Sequence, residues 1–159
     1  MRLALFQPDI PQNLGGAVRL GACLAVPLDV VEPCGFPMSD SRLRRAALDY
    51  AEAAETVLHP SWAAFLQAEG RREGRLVLFT TAGATPLQDF VFEPGDTLLF
   101  GRESAGAPPE VHAAADARVV IPLAGQTRSL NLVTAAAIGL YEALRQTGQA
   151  PSPPGLGKC

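Results

Sequence analysis

The sequence predicts an α/β fold in which a parallel β-sheet carries helices on both faces. Short apolar runs alternate with longer helical patterns along the chain, as they do in strand–helix–strand units. The runs are apolar throughout, which is typical of strands that are buried on both faces. The 159 residues, 48% of them hydrophobic, are enough for one compact core. We therefore expect a single domain over residues 1–150 and a flexible tail over residues 151–159.

Five strands and five helices are predicted in alternation. The strands are the runs at residues 2–6, 28–32, 75–81, 96–101 and 118–123. The helices are the patterns at residues 13–25, 40–48, 60–69, 108–115 and 130–146. Asn13 indicates the start of the first helix, Ser61 that of the third, and the Pro108–Pro109 pair that of the fourth.

Apolar runs and cysteines restrict the class of protein. No run reaches the roughly 18 residues that a membrane span needs, and the N-terminus becomes polar too early for a secretory signal. We therefore expect a cytoplasmic protein that does not enter a membrane. Cys23, Cys34 and Cys159 are odd in number and lack C-x-x-C spacing, so we expect reduced thiols, no disulfide and no metal site.

The charged residues allow a local nucleic-acid-binding patch. A net charge of −3 argues against a basic surface that covers the whole domain. The basic residues are nearly all arginines, whose planar fork matches phosphate oxygens. The cluster of Arg42, Arg44 and Arg45 is either a phosphate-binding patch or a solvated helix face. A second cluster, at residues 71–75, is interpreted as a charged loop.

Three loops follow predicted strands and carry unusual residues. In open parallel sheets, ligands bind beyond the carboxyl ends of the strands, where loops and helix N-termini present backbone N–H groups. The three loops are QPDIPQNLGG (7–16), FGRESAGAPPE (100–110) and IPLAGQTRSLN (121–131). We therefore expect a ligand site formed by these loops.

The first loop opens a helix with the pattern N-x-G-G-x-x-R, formed by Asn13, Gly15, Gly16 and Arg19. Arg19 follows Gly15 by about one turn, so Arg19 lies near the face that Gly15 leaves open to close approach of a backbone. A helix cap combined with ordinary helix packing explains the pattern equally well. The G-x-G-x-x-G spacing of dinucleotide-binding sites is absent.

The second and third loops each place polar side chains next to glycine. Glu103 lies between Gly101 and Gly106, where glycine permits positive φ and close approach of a ligand. Glu103 either orients a ligand or is an exposed acid of a turn. Ser129 or Asn131 is expected to cap the last helix, and because one cap suffices, the other polar side chain is expected to face a ligand.

Together, the motifs NLGGAVR, FGRESAG and IPLAGQTRSLN resemble the three signature motifs of the SPOUT superfamily of S-adenosylmethionine-dependent RNA methyltransferases. The resemblance covers almost the whole chain. The segments EPCGFPMSDSRLRRAALDY and LYEALRQTG are more narrowly similar to the small bacterial tRNA (cytidine/uridine 2′-O)-methyltransferases, which act on the wobble nucleotide, position 34, of leucine tRNAs. The resemblance implies this activity, with 2′-O-methylation of another tRNA or rRNA site as the alternative.

The resemblance also implies an architecture that composition cannot show. The C-terminal segment would thread through a loop as a deep trefoil knot, which is a rare exception among folds. Two chains would form a homodimer in which the first and last helices pack across the two-fold axis. Arg19 of one subunit would then reach the cofactor of the other.

Transfer of the family's site to this chain gives three sets of residues. The cofactor S-adenosylmethionine would be held by Phe79, Thr80, Gly101, Glu103, Ile121, Leu123, Ser129 and Leu130. The catalytic residues would be Arg19, Glu103, Ser129 and Asn131. The tRNA would be bound by Asn13, Arg19, Arg42, Arg44, Arg45 and Tyr141. Arg19 is expected to hold phosphate and stabilise charge, because a guanidinium group keeps its proton in proteins.

The second motif departs from the pattern of the close relatives. Arg102 and Ala105 stand where those relatives tend to have Pro and Arg, so the phosphate contact of this loop is either retained or redirected.

Two other classes of protein share the α/β pattern. A dinucleotide-binding enzyme would bind NAD, and a non-catalytic RNA-binding protein of the same fold would bind tRNA without methyl transfer.

Overall fold

A seven-stranded parallel sheet forms the centre of the molecule. The computed structural model describes residues 1–47, 50, 52–82, 85–125 and 129–152. The strands are β1 (Arg2–Phe6), β2 (Leu28–Val31), β3 (Thr56–His59), β4 (Leu76–Phe79), β5 (Thr85–Pro86), β6 (Thr97–Phe100) and β7 (Ala117–Val120). The helices are α1 (Pro11–Leu24), α2 (Ser41–Ala47), α3 (Trp62–Gln67), α4 (Pro109–Ala114) and α5 (Leu132–Gln146).

The strand order is β3-β2-β1-β6-β4-β7-β5, and all the pairs are parallel. Leu3 of β1 is paired with Leu28 of β2 on one side and with Leu98 of β6 on the other. The carboxyl ends of β1, β6, β4 and β7 therefore lie side by side at one edge of the sheet. The three motif loops follow three of these four strands.

Each face of the sheet is covered by its own group of helices. Side chains alternate between faces along a strand, so Leu3 and Leu5 of β1 join one core while Ala4 and Phe6 join the other. The first core is completed by side chains of α1, α2 and α5, and the second by Phe65 of α3 and Val111 of α4. The predicted parallel sheet with helices on both faces is therefore confirmed.

All five predicted strands and all five predicted helices are present, with ends that shift by a few residues. Position 48, the predicted end of the second helix, lies outside the described residues. The sequence prediction missed β3 and β5, which are the two edge strands. The first three residues of β3 are exposed and β5 has two residues, so neither has the continuous apolar pattern that indicates a buried strand.

The helix starts follow the predicted signals with one exception. The Ser61 hydroxyl accepts a hydrogen bond from the Ala64 amide at 3.1 Å, and Pro108 and Pro109 open α4. Asn13 was predicted as a cap, but α1 begins two residues earlier at Pro11, whose fixed φ suits the first turn of a helix. Asn13 is therefore a buried residue within the first turn of the helix, and its side-chain amide donates to Glu103.

The paired glycines of the first motif serve helix packing. A Cβ atom at Gly15 would lie 2.8 Å from the Leu43 carbonyl oxygen of α2, and one at Gly16 would lie 3.1 Å from the Val133 side chain of α5. The close approach of a backbone expected at Gly15 is thus made by α2. The face near Arg19 that was expected to be open is covered at Gly15.

Several composition-based expectations concern what the chain lacks. No helix in the described part of the chain is long and apolar enough to cross a membrane. Cys23 and Cys34 are free thiols, whereas Cys159 lies outside the described residues, as does most of the predicted tail.

In the second arginine cluster, at residues 71–75, Arg75 pairs with Asp96, and Arg71 donates to the Gly74 carbonyl oxygen. These contacts are typical of a charged loop.

Candidate active site

A cavity of about 620 Å³ lies at the carboxyl ends of β4, β6 and β7. Loops that follow adjacent parallel strands emerge at the same edge, so motifs distant in sequence meet there. Every residue predicted to hold the cofactor lines this cavity, namely Phe79, Thr80, Gly101, Glu103, Ile121, Leu123, Ser129 and Leu130. Asn13 and Asn131 line it as well. The first, second and third motifs therefore share one cavity.

Aromatic rings form one apolar part of the lining. The rings of Phe79 and Phe100 stack with their centroids 4.7 Å apart. Gly139 of α5 lies against Phe79, since a Cβ atom at that position would be 2.5 Å from the ring. Phe79 is consequently buried, and most of its side chain belongs to the core beneath α5.

The second motif forms a tight turn that borders the cavity. Arg102 and Gly106 exchange two backbone hydrogen bonds of 2.9 and 2.8 Å. A Cβ atom at Gly101 would lie 2.5 Å from the Gly106 carbonyl carbon, and Gly106 has a φ of +68°. Glycine is thus required at the first position by the close approach and favoured at the second by the left-handed backbone.

Glu103 is held between the second motif and the first. One carboxylate oxygen, Oε2, accepts a hydrogen bond from the Asp9 amide at 2.8 Å. The other, Oε1, accepts from the Asn13 side-chain amide at 2.9 Å. Both oxygens are therefore engaged by the first loop, and Glu103 is not the free acid of an exposed turn.

The same chain of hydrogen bonds continues to the third motif. The Asn131 side-chain nitrogen donates to Asn13 Oδ1 at 3.0 Å. Asn131 Oδ1 in turn accepts from the Val133 amide at 2.9 Å and caps α5. We refer to Glu103, Asn13 and Asn131 as the polar relay. Of the two polar residues expected at the start of the last helix, Asn131 is therefore the cap, and Ser129 is an exposed residue of the cavity lining.

Asp9 is a site residue that the sequence analysis missed. Asp9 Oδ1 accepts from Arg102 Nε at 3.1 Å, and Oδ2 accepts from the Ser104 amide at 3.2 Å. The Arg102 guanidinium and the Ser104 donors lower the pKa of Asp9 to about 2. In the sequence, the one indication of this contact was Arg102, which stands where the close relatives tend to have Pro. Its partner could not be read there because the two residues are 93 positions apart.

The single chain does not bring the remaining predicted residues to the cavity. Arg19 is exposed on α1, where its guanidinium lies 5.1 Å from the centre of the Tyr50 ring. Arg42, Arg44 and Arg45 are exposed on α2, and Tyr141 is 55% exposed on α5. Position 128, the arginine before Ser129, lies outside the described residues.

The cavity offers hydrogen bonds and shape, with few groups that could accept a proton. Of the described residues that line it, Arg102 and Glu103 are the ionisable ones. Burial raises the pKa of the nearby Cys34 thiol to about 11, so this thiol stays protonated at neutral pH. The part of the chain that the structure describes contains no cluster of three or more residues suited to bind a metal ion.

Comparisons with known proteins identify relatives over most of the chain. The model of the SpoU rRNA Methylase family matches residues 1–141. The tRNA (cytidine(34)-2′-O)-methyltransferase of Beijerinckia indica is 54% identical over 146 residues, which cover 92% of this chain and 91% of the relative. The protein of the same name from Burkholderia pseudomallei is 41% identical over 148 residues, covering 92% and 95%.

Solved structures share the fold. One, described as giving structural insights into the 2-OH methylation of C/U34 on tRNA, superposes with a TM-score of 0.85 at 44% identity and covers 91% of this chain and 94% of its own. The SpoU methyltransferase AviRb from Streptomyces viridochromogenes, in complex with AdoMet, superposes with a TM-score of 0.83 at 30% identity. That match covers 92% of this chain and 60% of AviRb.

Proposed function

The chain belongs to the SpoU rRNA Methylase family, and on this premise we propose that it transfers a methyl group from S-adenosylmethionine to the ribose 2′-hydroxyl of nucleotide 34 of a tRNA. The names of the relatives support the position and the type of reaction. Leucine tRNAs are the proposed substrates, on the basis of the resemblance of the two narrower segments. The observation that carries the proposal is the single cavity in which the polar relay joins all three motifs.

The cavity residues fit S-adenosylmethionine. The volume of about 620 Å³ is within the usual range for small-molecule sites. Ile121, Leu123 and Leu130 supply apolar surface for an adenine ring, and the adjacent main chain can read its edge. Ser129 and Asn131, at the N-terminus of α5, are proposed to face the methionine part and the ribose of the substrate.

The proposed mechanism relies on alignment. Bound S-adenosylmethionine would supply a methyl group on a positively charged sulfur. The ribose 2′-oxygen would attack the methyl carbon in line, S-adenosylhomocysteine would leave, and the hydroxyl proton would pass to the RNA phosphate or to water. Ser129 and Asn131 orient the reacting groups, and Glu103 holds Asn13 and Asn131 in place through the polar relay. Arg19 is proposed to grip the RNA phosphate and to stabilise negative charge that develops on the 2′-oxygen.

Arg19 can take this role in a homodimer. It lies outside the cavity of its own chain, on the helix that also carries Leu20 and Leu24. These two leucines line an apolar groove with Ala137 and Ile138 of α5, and Ile138 is 40% exposed. We propose that a second copy of the chain covers this groove, so that Arg19 reaches the cavity of the partner. The trefoil knot, in which the C-terminal segment threads through a loop, remains part of the proposal.

The tRNA is proposed to bind along α2. Arg42, Arg44 and Arg45 are exposed on this helix, and Arg42 is paired with Asp40. Arg44 has no ion-pair partner among the residues that the structure describes, so its charge is available to a phosphate group. The exposed ring of Tyr141 adds a surface on which a base can stack.

Replacement of Arg44 by glutamine is expected to weaken tRNA binding several-fold and to reduce the salt slope of log K by about 1, because one phosphate contact is lost. Filter binding of tRNA between 50 and 200 mM salt, roughly the range over which such contacts are screened, measures both. The matched control is Arg72→Gln, an exposed arginine in the turn at Gly70–Glu73 that follows α3. Equal effects of both variants would count against the α2 patch.

The proposed function is tested by mapping the methylated nucleotide. Purified protein, labelled S-adenosylmethionine and unmodified leucine tRNA are expected to give one 2′-O-methyl group at position 34, located by nuclease digestion and mass spectrometry. S-adenosylhomocysteine should bind in calorimetry and NAD should not. Binding of tRNA without incorporation of label would indicate the non-catalytic alternative, and label at another nucleotide would indicate another RNA site.

A further inference from the structure

Asp9 connects the first and second motifs through both its side chain and its main chain. Its carboxylate accepts from the Arg102 guanidinium and from the backbone and hydroxyl of Ser104. Its own amide donates to Glu103 Oε2 at 2.8 Å. Three consecutive residues of the second motif are thus bound to one residue of the first. We refer to the contacts of Asp9 with Arg102 and Ser104 as the Asp9 clamp.

The clamp ties the turn to the first motif beside the hydrogen bond between Asn13 and Glu103. Asp9 and Arg102 have side chains that are 17% and 36% exposed, so water screens their ion pair only in part. Hydrogen bonds between charged groups are the stronger class. The Arg102 guanidinium and the Ser104 donors lower the pKa of Asp9 to about 2, so its carboxylate is ionised at neutral pH and can keep the ion pair.

We propose that Asp9 and Arg102 are positioning residues, whose ion pair holds the turn at 101–106 in the orientation that lets Glu103 anchor the polar relay. This inference rests on the proposed function, because it assigns the ion pair to the binding of S-adenosylmethionine. Glu103 can meet both the Asp9 amide and the Asn13 side chain only while the turn lies against the first loop. The same turn forms part of the cavity wall.

The clamp also determines what Arg102 does. Its Nε and Nη2 atoms both donate to Asp9, so one bidentate edge of the guanidinium is occupied and the Nη1 edge alone is left for an RNA phosphate. Of the two outcomes expected from the departure at position 102, this geometry favours a redirected phosphate contact. In this proposal the main role of Arg102 lies within the protein.

The experiment uses Asp9→Asn, Arg102→Gln and the double variant in the full chain. Each single variant is expected to bind S-adenosylhomocysteine about tenfold more weakly in calorimetry, which corresponds to the loss of one charge-assisted contact. The double variant should bind no more weakly than the single variants, because both remove the same ion pair. Turnover should fall with cofactor affinity, while the KM for tRNA should stay unchanged. Arg102→Lys keeps the positive charge but lacks the planar guanidinium, so it should bind S-adenosylhomocysteine more tightly than Arg102→Gln and less tightly than the wild-type chain.

The matched control is Arg145→Gln, which breaks the Arg145–Glu142 pair at the far end of α5. Thermal unfolding is measured for every variant, and the control should bind S-adenosylhomocysteine normally. Normal cofactor affinity in Asp9→Asn, or strictly additive losses in the double variant, would overturn the proposal. So would a rise in the KM for tRNA in Arg102→Gln alone, since that would assign Arg102 to the RNA. Failure of the wild-type chain to bind S-adenosylhomocysteine would instead overturn the proposed function.

Discussion

Replacement of Arg19 by alanine is expected to reduce methyl transfer by about 10²-fold or more, while S-adenosylhomocysteine binds with unchanged affinity. The size of the effect is typical for removal of a group that stabilises charge in the transition state. Affinity is spared because Arg19 is proposed to contact the RNA phosphate and the 2′-oxygen in the partner's cavity, and not S-adenosylmethionine. Single-turnover assays with labelled donor and calorimetry measure the two quantities. Arg19→Lys should recover little activity, since lysine lacks the planar fork.

Mixed dimers test whether Arg19 acts in the partner's cavity. Arg19→Ala chains and Asn131→Ala chains are each expected to be inactive alone. A dimer of one of each contains a cavity with an intact Asn131 and an intact Arg19 from the other subunit. Co-refolded mixtures should therefore regain a substantial part of wild-type activity. If the mixture stays inactive although sedimentation shows mixed dimers, Arg19 acts within its own chain.

Replacement of Asn131 by alanine is expected to reduce turnover to a similar extent and also to destabilise the protein by about 1 kcal/mol. The activity falls because the Asn131 side chain is the link between Asn13 and the start of α5. The stability falls because the Val133 amide loses its cap. Urea unfolding and methyl incorporation are measured on the same preparation.

Asn131→Ser separates the two effects. Serine is a good N-cap but is too short to replace the contact with Asn13, so stability should be kept while turnover is lost. Wild-type turnover in the serine variant would mean that the cap is the whole role of Asn131. The polar relay would then have no part in the reaction.

The fold was largely predictable because its signals are local. A buried parallel strand needs a continuous apolar run, and helices need caps and a 3.6-residue period, so both can be read from neighbouring residues. The strands β3 and β5 were missed for the same reason. At the edges of the sheet, one is mostly exposed and the other has two residues, and their pairing with β2 and β7 comes from the rest of the sheet.

The motifs likewise predicted which residues line the cavity. The order of the strands explains why this was possible. Because β1, β6, β4 and β7 are parallel neighbours, loops that follow three of them must meet at one edge. The Asn13 cap was a wrong prediction, because α1 begins at Pro11 and Asn13 instead donates to Glu103, 90 residues away.

The amino-acid sequence by itself determined the fold class, the main strands and helices, and the set of loops that form the cavity. The tertiary structure decided which polar atoms meet: Glu103 with Asn13, Asn13 with Asn131, and Asp9 with Arg102. Hydrogen bonds reach about 3 Å, so they depend on positions that the whole sheet fixes and that no short window of sequence contains. The exposed position of Arg19 was decided in the same way, by packing of α1 against α2 and α5.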